Sequence, residues 1–211
     1  MNAQHHIELI NNALKQYFSP EALKVIIKSN LRQDSVFGQI GHNEYHFDNN
    51  AINEGNRFIN AQRVKIYTYL IINKPKKAWQ AFGRLLHAAQ DFYAHTNYVN
   101  LWQNKQNNKL LLKENLNYLD NEILDHPFLY SHKPYFPLDY IISAIPSTGK
   151  YLTKYLPKNS HAKMNLDSPA SGEDFEWAFL VALGRTEYEY SVIRNFLITK
   201  DSSLLDLFND K

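Results

Sequence analysis

His87, Asp91 and His95 recur at every fourth position inside a run, Gly83 to Asn97, that reads as helix. With about 3.6 residues per helical turn, a step of four rotates the side chain by about 40°, so the three project from one slowly drifting stripe. Neutral imidazole and carboxylate are ordinary zinc ligands, and two of them at i and i+4 on a helix can reach the same ion. His87 and Asp91 can therefore share a metal. His95 lies about 12 Å along the axis from His87, too far for all three to meet one ion. A carboxylate between two histidines suits a cluster of two or more ions. A lone histidine in such a run is more often a core residue; three in phase, flanked by Phe92 and Tyr93, favour a metal-binding face.

Cysteine is absent, so thiolate metal sites, disulfides and a cysteine nucleophile are excluded together, and any metal must sit on nitrogen and oxygen. The nine histidines are more informative than the formal net charge of +2, which implies no strong field for polyanions and makes nucleic acid the less favoured partner. A length of 211 residues suits one domain, taken as residues 1–211, with a substantial core. The first residues lack the basic, apolar, small-residue order of a signal peptide, and no segment approaches the roughly 20 apolar residues that span a bilayer. The expectation is a soluble chain, cytoplasmic or exported by a signal-independent route.

Along the chain, apolar positions recur at helical spacing from His6 to Tyr17, and Ser19-Pro20 reads as the cap and first position of a second helix through Ile27. Residues 33–41 read as a loop ending in the polar and aromatic cluster 42–49. Helix returns from about Ile52 to Ile72, and Pro75 opens the long helix that carries the central stretch. Further helices are expected over Lys109–Leu124 and Glu173–Leu197, with a short one over Ser202–Asn209. The proline- and tyrosine-rich region from Pro127 to Pro157 reads as loops and short helices that form a lid or surface patch, and Asn159–Gly172 as a polar loop. No strand pairs or repeats stand out, which gives an all-α, single-domain multi-helix bundle.

With these positions in view, the chain resembles the zinc-dependent phospholipase C and S1/P1 nuclease superfamily, and within it the Het-C heterokaryon-incompatibility branch. The resemblance rests on Leu86-His87 to Asp91 and His95, on His6 ahead of an amphipathic helix, on Asp34 before His46-Phe47-Asp48, and on His161 before Asn165-Leu166-Asp167-Ser168. Glu187 is a looser match to the closing glutamate ligand, and the terminal tryptophan ligand of the phospholipases has no counterpart here. The last histidine follows Asp91 after three residues, as in the Het-C version, where the phospholipases have five.

The resemblance implies two or three zinc ions in a helical fold that hydrolyses phosphate esters. It implies that His46, His87, Asp34 and Asp91 hold one ion, that Asp91 bridges to a second held also by His6, and that His95, His161 and Glu187 hold a third. It also gives Asp34 a share in activating the attacking water. Asp48 reads as a partner that fixes a ligand imidazole, and Asp167 as a turn residue. His5, His42, His126 and His132 have no motif around them and read as surface or structural. Three functions stay open: a phospholipase C-like phosphodiesterase acting on phospholipid, with the aromatic Phe128–Tyr155 segment touching an interface; a nuclease; and a metal-stabilised module that acts by association with partners or membranes.

Overall fold

The computed structural model describes residues 1–106, 116–135 and 153–211. Two long helices run through its centre, α5 (Ile52–Ile71) and α6 (Pro75–His95), joined by a tight turn in which Asn73 takes the left-handed backbone that asparagine tolerates. Pro75 starts α6 where the missing N–H costs nothing. Around α6 pack α2 (Pro20–Leu31), α5 and a long helix near the carboxyl end, Asp174–Lys200. The remaining helices are α1 (Ala3–Leu14), α3 (Val36–Gln39), α4 (Asn43–His46), α7 (Tyr98–Lys105), α8 (Asn121–Leu124) and α9 (His161–Met164); the long helix is α10 and Ser202–Asn209 is α11. Among the described residues the only β-type pairings are two isolated bridges, Thr96 with Ser131 and Lys133 with Ser160. The chain is all-α, and no described helix is long and apolar enough to cross a membrane.

The expected elements are found with three differences, the first being that Asn159–Gly172, expected as a polar loop, holds α9 and a 3-10 turn over Pro169–Ser171. Residues 33–41 hold short helices, a 3-10 turn over Arg32–Asp34 followed by α3, where a loop was expected. Of the expected helix over Lys109–Leu124 the described part is helical only at its end: 116–120 is irregular and α8 covers Asn121–Leu124, while 109–115 lies outside the described residues, as does the 136–152 portion of the proline- and tyrosine-rich region.

α6 is enclosed. Every residue from Leu85 to Val99 is buried, with leucine, alanine and aromatic side chains on all sides, the pattern of a helix at the centre of a core. α2 comes unusually close to it: a Cβ on Gly83 would lie 2.3 Å from the backbone oxygen of Ile26, and Ser29 donates across the same contact to Gln80 O at 2.8 Å. That approach brings Asn30 within reach of the polar residues one to two turns along α6. On another side, the buried Glu189 of α10 accepts hydrogen bonds from Arg63 and Arg185, at 2.7–2.9 Å, and ties α5 to α10.

Gly83→Ala should therefore lower stability by about 1–3 kcal/mol, because the clash is with backbone and cannot be relieved by a rotamer change. Denaturant unfolding followed by circular dichroism measures this. An unchanged midpoint would mean that α2 and α6 do not approach as described.

Candidate metal centre

The buried polar residues of α6 all lie on one stripe. His87, Gln90, Asp91 and His95 recur at three and four residues, and the other segments deliver their polar groups to that stripe. α1 contributes His6. The turn over Arg32–Asp34 contributes Asp34, and α4 contributes His46 at its last position. Phe47 then takes a left-handed backbone, φ 58°, as do Asn49 and Asn50. This conformation is costly for phenylalanine. It is held by burial of the Phe47 ring against Phe92 and against Gly55, where a Cβ would strike the ring. The reversal places both His46 and Asp48 on the α6 stripe.

Asp34, His46, His87 and Asp91 each present a ligand atom within 4.8 Å of the others. Asp91 is fully buried and is its centre: Oδ2 lies 2.9 Å from His46 Nδ1 and 3.1 Å from His87 Nε2, and Oδ1 lies 3.2 Å from His6 Nε2. The Met1 amino group is 2.5 Å from Asp91 Oδ1 and 3.1 Å from Asp167 Oδ1.

A second group, His95, His132 and His161, meets the same 4.8 Å criterion. Asp48 Oδ1 lies 3.0 Å from His95 Nδ1 and 3.2 Å from His132 Nε2, while Asp167 Oδ1 is 3.2 Å from His95 Nε2. Asp48 and Asp167 are therefore part of the site. The assignment of His132 as a surface or structural residue is corrected in the same way. Its loop is pinned by backbone bonds: His132 N to His95 O, Asn49 N to His132 O, and reciprocal bonds between Asn50 and Ser131. Lys133 N to Asn159 O and His161 N to Lys133 O carry the pinning on to α9. No periodicity could have revealed this, because the residues arrive through loops.

Glu187 is not brought to the site. It is exposed on α10, one position past Thr186, which faces α6, and so its side chain turns away by about 100°. The buried carboxylate of that stretch is Glu189, and it is taken by the two arginines. His5, His42 and His126 stay outside both groups, in local contacts with Glu8, Glu44 and Phe128 N.

The donor set fits divalent cations. His6 Nδ1 donates to Gln90 Oε1 at 2.6 Å, and Gln90 Oε1 also accepts from Asn30 Nδ2. His87 Nδ1 faces Asn30 Oδ1 at 3.3 Å, and His95 Nδ1 donates to His46 O at 2.9 Å. For His6 and His87 a protein acceptor behind the ring holds the Nδ1 proton and leaves Nε2 as a lone pair directed into the cluster, the usual way in which neighbouring groups orient a ligating histidine. Three buried imidazole nitrogens, His6 Nε2, His46 Nε2 and His132 Nδ1, have no hydrogen-bond partner. Buried polar atoms left in this way are costly, and a cation coordinated among them would satisfy them.

Burial lowers the His87 imidazole to about 3 against the pull of Asp91, and lowers His132 to about 2 with help from His95, so both are neutral lone-pair donors near pH 7. Burial raises Asp34 above the usual carboxylate range, and the neighbouring Asp91 carboxylate adds to the rise. Burial opposes ionisation of Asp91, but the Met1 amine and His87 outweigh it and hold the carboxyl well below that range. A cavity of about 350 Å³ opens over the site, lined by Asp34, Gln39, Asn43, His46, Asp48 and His95 among others.

Over residues 5–121, more than half of its length, the chain matches the VWA7 N-terminal domain family. That stretch includes the whole first group and His95, whereas His132, His161 and Asp167 lie beyond it. No curated protein and no solved structure matches the chain.

Asn30→Ala and Gln90→Leu remove the acceptors that orient His87 and His6 without touching a ligating atom. Each should weaken zinc binding by about 10–100-fold in competition with a chromophoric chelator. Affinity within twofold of the parent chain in both variants would show that the imidazoles are not held for a metal.

Proposed function

The chain belongs to the VWA7 N-terminal domain family, and we propose, on the chemistry of its buried site, that it is a zinc-dependent phosphodiester hydrolase of the phospholipase C kind. The family description names a domain and no chemistry, so the reading rests on the site. The observation that carries it is the first group, Asp34, His46, His87 and Asp91, gathered beneath an open cavity with His87 oriented from behind by Asn30.

In this reading Asp34, His46, His87 and Asp91 hold one zinc, with His6 beside Asp91, and His95, His132 and His161 hold another. Bound zinc supplies a more acidic water and neutralises charge on the phosphoryl group. The chain supplies the rest. Asp34 sits at the cavity wall with its carboxyl raised by burial, so that it accepts a proton from the attacking water through a carboxylate oxygen. The side-chain amides of Gln39 and Asn43 line the same wall and can donate to phosphoryl oxygens. Gln90, Asn30 and Thr186 form a buried hydrogen-bonded chain that keeps His6 and His87 from turning.

A second reading follows from a different observation. His6, His87 and Asp91 are almost wholly inaccessible, which suits a metal that staples helices together in a module acting by association with partners or membranes.

Elemental analysis of protein purified without added metal should find zinc, and the same protein should release phosphorylated head group from phospholipid. Asp34→Asn should lower kcat by about 10²–10⁴-fold with its zinc largely retained. Asp91→Asn should lose more zinc than His161→Ala, because its carboxylate touches the most groups. Zinc without turnover of phospholipid, single-stranded nucleic acid or a simple aryl phosphodiester, and unfolding on chelation, would establish the staple instead. Cleavage of nucleic acid alone would establish the nuclease. Full activity after complete chelation would rule out all metal-dependent hydrolysis.

A further inference from the structure

A larger groove, about 580 Å³, lies beside the metal centre on the α2 and α6 face. Lys24, Lys28, Arg32, Lys76 and Arg84 line it, with Glu21 the only carboxylate among the lining residues. None of the five cations has a carboxylate within 4 Å among the described residues. Among the described residues the Arg84 guanidinium donates a hydrogen bond only to Gln62 Oε1. Five basic side chains converging on one groove repel one another unless an anion is present, and the weak overall charge of the chain makes the concentration local.

The short helix α3 forms one edge of this groove, with Phe37 and Gly38 in its lining. The same turn of chain borders the metal cavity through Asp34 and Gln39. Between these walls its apolar side chains point into solvent: Val36 is 66 %, Phe37 90 % and Ile40 72 % exposed. Single exposed apolar residues are common on protein surfaces. Three of them within five positions, standing at the rim of a cationic groove, are the arrangement that binds anionic bilayers, where apolar side chains enter the acyl boundary and cations meet the head groups.

We propose that α3 and the adjacent basic groove form a docking surface for anionic phospholipid membranes, with Val36, Phe37 and Ile40 inserted and Lys24, Lys28, Arg32, Lys76 and Arg84 on the head groups. Nucleic acid would meet the same cations, but it gives the two exposed aliphatic side chains nothing apolar to enter. Docking in this way sets the mouth of the metal cavity at the lipid surface. The surface adds to the phosphodiesterase reading and does not depend on it, because binding is read without turnover.

Sedimentation of the full chain with phosphatidylcholine vesicles, with and without phosphatidylserine, tests the proposal. Binding should require phosphatidylserine and weaken with salt. Phe37→Ser combined with Ile40→Ser, both at exposed positions and so leaving the circular dichroism spectrum unchanged, should weaken it by about tenfold or more. Lys24→Gln combined with Lys28→Gln should cost about fivefold per lysine. Equal binding to neutral vesicles, vesicle binding indifferent to the Phe37 and Ile40 changes, or binding to single-stranded DNA with none to vesicles would each overturn it. Failure of head-group hydrolysis with these results intact would fall on the catalytic reading alone.

Discussion

Asp91 is an ionised carboxylate sealed inside the central helix of the domain, and it sets the terms for what surrounds it. Such a group costs several kcal/mol to bury unless each oxygen is answered. Here Oδ1 accepts from the Met1 amine and Oδ2 from His46 Nδ1, while the Nε2 atoms of His6 and His87 stand beside them. Those partners come from the chain's first residue, α1, α4 and α6 itself. The packing of α1, of α4 and of the segments beside them is thus tied to satisfying one charge. The apolar shell around α6 then keeps water from doing so in their place.

The same demand separates the site into two parts with different electrostatics. Around Asp91 the donors are buried, His6 and His87 are held by the Gln90 and Asn30 amides behind them, and burial keeps the His87 imidazole neutral. Around His95 the groups reach the cavity, and two carboxylates, Asp48 and Asp167, stand between the rings. Burial opposes the charge on His95, but Asp91, Asp167 and Asp48 raise it well above its ordinary range. The first group is a rigid floor, and the second is a polar wall.

Much of this was legible in the sequence where the information is periodic. The four-residue spacing of His87, Asp91 and His95, the proline that opens α6, and the helical spacing of α1 and α10 all express one repeating geometry, and the structure contains the corresponding helices. Asp34, His46 and His161 were singled out through short motifs, and the structure brings each to one of the two groups. His132 and the role of Asp167 were not legible. They are placed by backbone hydrogen bonds between loops, and a main-chain amide leaves no trace in residue identity. Glu187 was read as a ligand but lies on the exposed face of α10, because helical spacing alone cannot say which face of α10 meets the core.

The pinned loop of residues 131–133 has a consequence for how the domain comes together. His6 and His161 are more than 150 positions apart in sequence, yet they stand in the two adjoining halves of one site. Closing contacts over such separations is entropically expensive and slow relative to forming α5 and α6 against each other. The centre therefore matures late, after the helical framework, because a growing polypeptide that has reached only α7 still lacks His132, His161 and Asp167.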